Sequence, residues 1–156
     1  MGRGDSGFRQ AESQDMIPIW SQEVHLFTGA VVQQLGPCCV ILYGSVATGR
    51  YTRASDVDIV VIAPALPSDW LERLRLVDRC NQTRAPIQAL AYTPEEFNDM
   101  IDEGSVTALD AVTQGRPLHG QDYFSGLAAR VQKLLDAGLI RTGTSWSFRA
   151  SDTKGQ

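Results

Sequence analysis

Residues 38–62 read CCVILYGSVATGRYTRASDVDIVVI, and their pattern decides the fold. Two apolar runs of strand length, Cys38 to Tyr43 and Val57 to Ile62, flank a Gly44-Ser45 turn, a short polar segment and an acidic pair, Asp56 and Asp58. The first run is apolar throughout, which predicts a strand buried on both faces. Alternate residues of a strand share a face, so the two carboxylates stand on one side, ~7 Å apart along the backbone. Two like charges at the mouth of a Val/Ile strand oppose each other's ionisation, and burial opposes both. A divalent cation is the natural compensating charge.

The connection between the runs has the chemistry of a phosphate cradle. Gly44 and Gly49 let the backbone approach a ligand closely, the Ser45 hydroxyl and free backbone N–H groups donate to phosphate oxygens, and Arg50 adds a planar cation. A Gly-Ser turn between strands is most often simply a turn. Beside two same-face carboxylates it gains specificity, because metal-assisted phosphoryl or nucleotidyl transfer needs both parts. Ser55 is placed to support the acidic pair by capping the entrance of the second strand.

Gly44-Ser45, ten intervening residues and Asp56-x-Asp58 together resemble the signature of the minimal nucleotidyltransferase family, within the polymerase beta-like superfamily. Gly49, Arg50 and Ser55 fall where that family's pattern places a glycine, a basic residue and a serine. The likeness extends more loosely over residues 20–103. It implies an α/β (α+β) nucleotidyltransferase fold, a small mixed, partly antiparallel β-sheet with packed helices. It also implies a nucleoside triphosphate substrate, ATP or another NTP, bound with one or two Mg²⁺ ions. Carried over to this chain, Gly44 and Ser45 contact the triphosphate, Gly49, Arg50 and Ser55 complete the nucleotide loop, and Asp56 and Asp58 are the metal ligands and catalytic carboxylates. The nucleoside monophosphate then passes to an acceptor with loss of pyrophosphate.

The family commonly adds a third carboxylate on the next core strand. Here that strand reads Ile87-Gln88-Ala89-Leu90-Ala91-Tyr92, and the residue in the third-site position is Gln88. Glutamine offers a carbonyl oxygen to a metal but no charge and no general base. Glu95 and Glu96 follow nearby, in a helix cap. Two readings therefore stand side by side: a Mg-dependent transferase moving AMP from ATP to an acceptor hydroxyl, and a catalytically weakened or inactive nucleotide-binding or protein-interaction module. A structural α/β domain with an accidental acid pair is the bland third. Minimal domains of this family are often paired with a helical HEPN protein in toxin-antitoxin modules, the transferase acting as antitoxin. The resemblance thus implies an acceptor held by a partner protein, by a homo-oligomer, or identical with the partner.

Composition bounds the rest. A chain of 156 residues suits one domain, expected over 16–150, with a disordered lead-in at 1–15 and a loose tail at 151–156. No window reaches the apolar length of a transmembrane helix and the N-terminus lacks an apolar signal region, so a cytoplasmic protein with no membrane contact is expected. A formal charge of -4 supplies no basic field for nucleic acid. Three cysteines, two of them adjacent, build no disulfide framework, and no His or Cys spacing resembles a zinc site. The Arg3-Gly4-Asp5 tripeptide carries little weight without a secretion signal.

Trp20, Val24, Phe27, Val31 and Leu35 recur at helical spacing, predicting a helix over 21–35 that Gly36-Pro37 stops. Ser68 reads as the cap of a second helix with Leu71, Leu74, Val77 and Cys80 inward, while Arg73, Arg75, Arg79 and Arg84 read as a solvated basic flank. Pro86 opens the strand 87–92, and Thr93-Pro94-Glu95-Glu96 marks a helix start with Phe97, Met100 and Ile101 on its buried face. A short helix over 106–113, a connection through Gly115 to His119, a long helix over 121–137 and a hairpin about Gly143 complete the expectation. His25 and His119 have no partner at ligand spacing, and Trp20, Trp70 and Trp146 read as hydrophobic anchors.

Overall fold

Residues 19–52 and 54–149 are described by the computed structural model. In chain order they form helix α1 (Ser21–Leu35), strand β1 (Cys39–Tyr43), the short helix α2 (Gly44–Thr48), β2 (Val57–Ile62), α3 (Trp70–Arg79), β3 (Ile87–Tyr92), α4 (Pro94–Asp102), α5 (Val106–Gln114), β4 (Arg116–His119), α6 (Gln121–Asp136) and the strands β5 (Leu139–Thr142) and β6 (Ser145–Phe148). The main sheet has the order β3-β2-β1-β4, with β1 antiparallel to β2 and β4 and β2 parallel to β3. This is the mixed α/β arrangement that the resemblance implies. The Arg-Gly-Asp tripeptide and the tail at 151–156 lie outside the described residues.

Because β1 is apolar at every position up to its last, it serves two cores at once. Val40 and Leu42 pack in one layer with Val24, Phe27 and Val31 of α1, while Cys39 and Ile41 pack in the other with Phe97, Leu109 and Val131. Side chains alternating across a pleated strand produce that division directly. Segment 115–119, expected as a connection, is instead β4, with Arg116 opposite Leu42. Gly115 is what lets it begin so close to β1. A Cβ there would stand 2.7 Å from Ile41 Cγ2 and 2.9 Å from the Leu42 carbonyl, and closer still to that of Ala111.

Helix α3 departs from its expected stripe. Asp69, not Ser68, caps it, accepting from the Glu72 N–H at 3.0 Å. Val77 and Cys80 are buried as expected, but Leu71 is 52% exposed and Arg73 takes a buried place among them. Burial of a guanidinium is tolerable when its donors are used. Arg73 Nε donates to the Pro67 carbonyl at 3.0 Å, and Nη1 donates to the Ala91 carbonyl at 3.2 Å and to Glu96 Oε1 at 2.7 Å. The basic flank is therefore not uniformly solvated.

The expected terminal hairpin is present as β5 and β6, and Asp110 of α5 anchors it. Arg141 donates through Nε and Nη2 to both Asp110 oxygens at 3.0 and 2.9 Å, and Trp146 Nε1 donates to Oδ1 at 2.9 Å. Burial pushes the Asp110 carboxyl up, but the hydrogen bonds from Arg141 and Trp146, with the charge of Arg141, outweigh it and hold the group below its ordinary 3.8. A depressed carboxylate contributes stability above its ordinary value and loses it as pH falls through the depressed one. Acid titration followed by Trp146 fluorescence, with Trp20 and Trp70 changed to Phe, should show the hairpin letting go only below that ordinary value. Asp110→Asn should erase the acid transition.

Candidate functional site

The site is built where β1 hands over to α2 and where β2 begins. Gly44 leaves β1 at φ 79°, a left-handed conformation suited to glycine, and Gly49 ends α2 at φ 81°. Gly44-Ser45 is thus the first turn of a short helix and not the simple turn expected. The backbone N–H groups of Gly49 and Arg50 both donate to the Ser45 carbonyl, which closes the loop on itself.

Antiparallel pairing then brings Asp58 opposite Tyr43, directly beside Gly44. A Cβ on Gly44 would lie 3.2 Å from Asp58 Cγ and closer to its Oδ2, so glycine is required by space as well as by φ. Asp56 is exposed just before β2, and Asp58 is half-buried within it. Burial, and then the charge of Asp56, push the Asp58 carboxyl above its ordinary value. Among the described residues neither carboxylate has a hydrogen-bond or ion-pair partner. Such an uncompensated pair of oxygen donors fits a hard divalent cation, whose remaining ligands would come from phosphate and water.

Parallel pairing of β2 with β3 sets Gln88 level with Asp58, so the expected third-site residue stands beside Asp58 and is a neutral amide. No group of three or more His, Cys, Asp or Glu side chains able to hold a metal occurs among the described residues. Glu96 is committed elsewhere. Its Oε1 accepts from the Thr93 N–H at 2.9 Å in a capping box and pairs with Arg73, whose hydrogen bond is the main reason its pKa is lowered. Ser55 Oγ accepts from the Thr52 N–H at 2.9 Å and so ties the loop that leads into the acids. Arg50 is exposed beside the loop.

Two neighbours were not legible as site residues. Tyr43 faces Asp58, and its phenol is pushed up to about 12 by burial and by the charges of Asp58, Tyr92 and Asp110. Arg116 enters from β4, 69 residues downstream of its partner, and its Nε donates to the Ala47 carbonyl of α2 at 3.3 Å. Both depend on strand pairing, and for Arg116 the local Gly115-Arg116-Pro117 pattern reads only as a loop. His119 pairs with Val40, away from the acids.

Residues 30–104 match the family described as the nucleotidyltransferase domain. No curated protein matches the chain. Among solved structures, a toxin-antitoxin crystallised with AMP-PNP is similar in fold at 18% identity, covering 74% of this chain and 87% of that chain with a TM-score of 0.50. A mutant MntA-HpeT toxin-antitoxin is similar at 16% identity, over 70% of this chain and 84% of that chain, TM-score 0.48. A proposed nucleotidyltransferase from Sulfolobus solfataricus is similar at 21% identity, over 57% and 78%, TM-score 0.44.

Proposed function

We propose, from the match of residues 30–104 to the nucleotidyltransferase domain family, that the protein moves AMP from ATP to an acceptor hydroxyl with the help of Mg²⁺. The observation that carries this reading is the half-buried Asp58 carboxylate, held against Gly44 beside Asp56 without a cationic partner among the described residues. Asp56 and Asp58 would hold Mg²⁺. When bound, the metal neutralises charge on the triphosphate as it develops toward the transition state. Gly44 and Ser45 contact the triphosphate, Gly49 closes the loop around it, and Arg50 adds a cation that favours the negative charge gained in transfer. Ser55 keeps the loop folded through Thr52.

A toxin-antitoxin of the same fold crystallised with AMP-PNP supports a nucleotide substrate and a protein partner. The partner we assign is a HEPN-type helical protein in the cytoplasm, with the acceptor hydroxyl on it. Calorimetry with ATP in the presence and absence of Mg²⁺ is the test, run beside transfer from α-labelled ATP into that partner. Magnesium-dependent binding with label transfer is expected, and absence of binding by the wild-type protein overturns the reading.

One observation favours a second reading. Gln88 is level with Asp58 and supplies no carboxylate, which suits a module that binds nucleotide and partner with weak or no turnover. Binding without transfer, against the same partner, would select it.

A further inference from the structure

Strand β4 meets β1 with Arg116 opposite Leu42, two residues before Gly44. Opposed residues of an antiparallel pair share a face, and Leu42 lies in the core layer that also holds Val46 and Ala47 of α2. Arg116 therefore leaves β4 on the side where α2 packs. Gly115, which has no room for a Cβ so close to β1, fixes that starting point.

A helix of five residues does not stand by itself, so α2 keeps its place through what it touches. Its local bonds turn inward. Thr48 Oγ1 donates to the Gly44 and Ser45 carbonyls at 3.3 and 3.4 Å, and the N–H groups of Gly49 and Arg50 donate to the Ser45 carbonyl. These bonds close the loop and tie it to nothing else. Val46 and Ala47 are buried, but apolar burial is non-directional. Direction comes from Arg116, whose Nε donates to the Ala47 carbonyl at 3.3 Å across 69 residues of sequence. Among the described residues, none but Arg116 hydrogen-bonds α2 from a distant part of the chain.

We infer, on the nucleotidyl-transfer reading, that Arg116 is a positioning residue for the triphosphate loop, holding Gly44 to Arg50 in place beside Asp58 through its hydrogen bond to Ala47. Gly44 lies against Asp58 without space for a methyl group, so a small rotation of α2 moves the loop against the carboxylate. A loop that grips phosphate equally before and during transfer is felt in KM and not in kcat. The hydrogen bond, not the charge, is the active element. Arg116 Nε is spent on a carbonyl at the far end of α2 from Gly44, while Arg50 is the exposed cation of the loop.

The test compares two neutral replacements in the full chain. Glutamine carries an N–H donor at the side-chain position of the arginine Nε, and methionine has similar length with no donor. Loss of the hydrogen bond in Arg116→Met should raise KM for Mg-ATP and the dissociation constant of Mg-tripolyphosphate about tenfold, with kcat kept within about threefold. Arg116→Gln should stay within about threefold of wild type in all of them. In ligand-free Arg116→Met, exchange of the Gly49 and Arg50 amides should quicken about tenfold. Equal losses of affinity in both variants would make charge the active element. Unchanged Mg-tripolyphosphate affinity in Arg116→Met, with only a lower melting temperature, would make Arg116 a structural tie. Either result overturns the inference. If Arg116→Met does not fold, the Arg116 Nε–H resonance of the wild type decides beside Arg116→Gln: Mg-tripolyphosphate should shift it, and an unmoved resonance overturns the inference as well. A wild-type protein that binds neither Mg-ATP nor Mg-tripolyphosphate would instead strike the nucleotidyl-transfer reading, while amide exchange without ligand would still report whether Arg116 holds the loop.

Discussion

Asp58→Asn is expected to lower transfer from α-labelled ATP by about 10²-fold or more, while the metal-free protein melts no lower than wild type. The first half follows from charge. Asn keeps the shape of the side chain and one carbonyl oxygen, but a neutral ligand leaves the metal weakly held, and metal stabilisation of a transferring phosphoryl group is worth several kcal/mol, each 1.36 of which is about tenfold in rate. The second half follows from the surroundings. Burial and Asp56 both disfavour the Asp58 charge, and no described cation offsets it, so removing that charge relieves the folded chain. Melting curves in a chelator, read beside the transfer assay, check both. A lower melting temperature with transfer intact would make Asp58 a structural carboxylate and remove the basis of the site.

Gln88→Glu should act in the opposite direction, raising transfer by about 10²-fold, the lower end of what a positioned general base contributes. The register places residue 88 level with Asp58, and Gln88 is exposed, so a carboxylate there faces little desolvation. A third negative charge will repel Asp56 and Asp58 when no metal is present. The variant should therefore lose stability in chelator and regain it with Mg²⁺, which melting curves at both conditions will report. Unchanged transfer, with Mg-ATP binding retained, would mean that the missing acid is not what limits turnover and would favour the interaction module.

Much of the site lies in a single window of sequence because its geometry is local. Asp56 and Asp58 are two residues apart, Gly44 and Gly49 take positive φ where the chain must turn, and the continuous apolar run of β1 announces burial on both faces. The capping box at Thr93 and the hairpin about Gly143 are legible for the same reason, since each is completed within a few residues. Local reading failed where a side chain's environment is set by distant chain. Arg73 looked like one of four solvated arginines, and is buried because Ala91 and Glu96, 18 and 23 residues further on, use its donors. Segment 115–119 looked like a loop because Gly115 and Pro117 are loop residues, and is a strand because β1 offers it an edge.

The apolar pattern of residues 38–62 gives two core strands, and the spacing of its glycines and acids gives the chemistry proposed for the site, because strand alternation and backbone φ are properties of neighbouring residues. Which groups meet that chemistry is a matter of pairing across the sheet. Register puts Gln88 beside Asp58 and brings Arg116 to α2, and no window of sequence contains both partners of either contact.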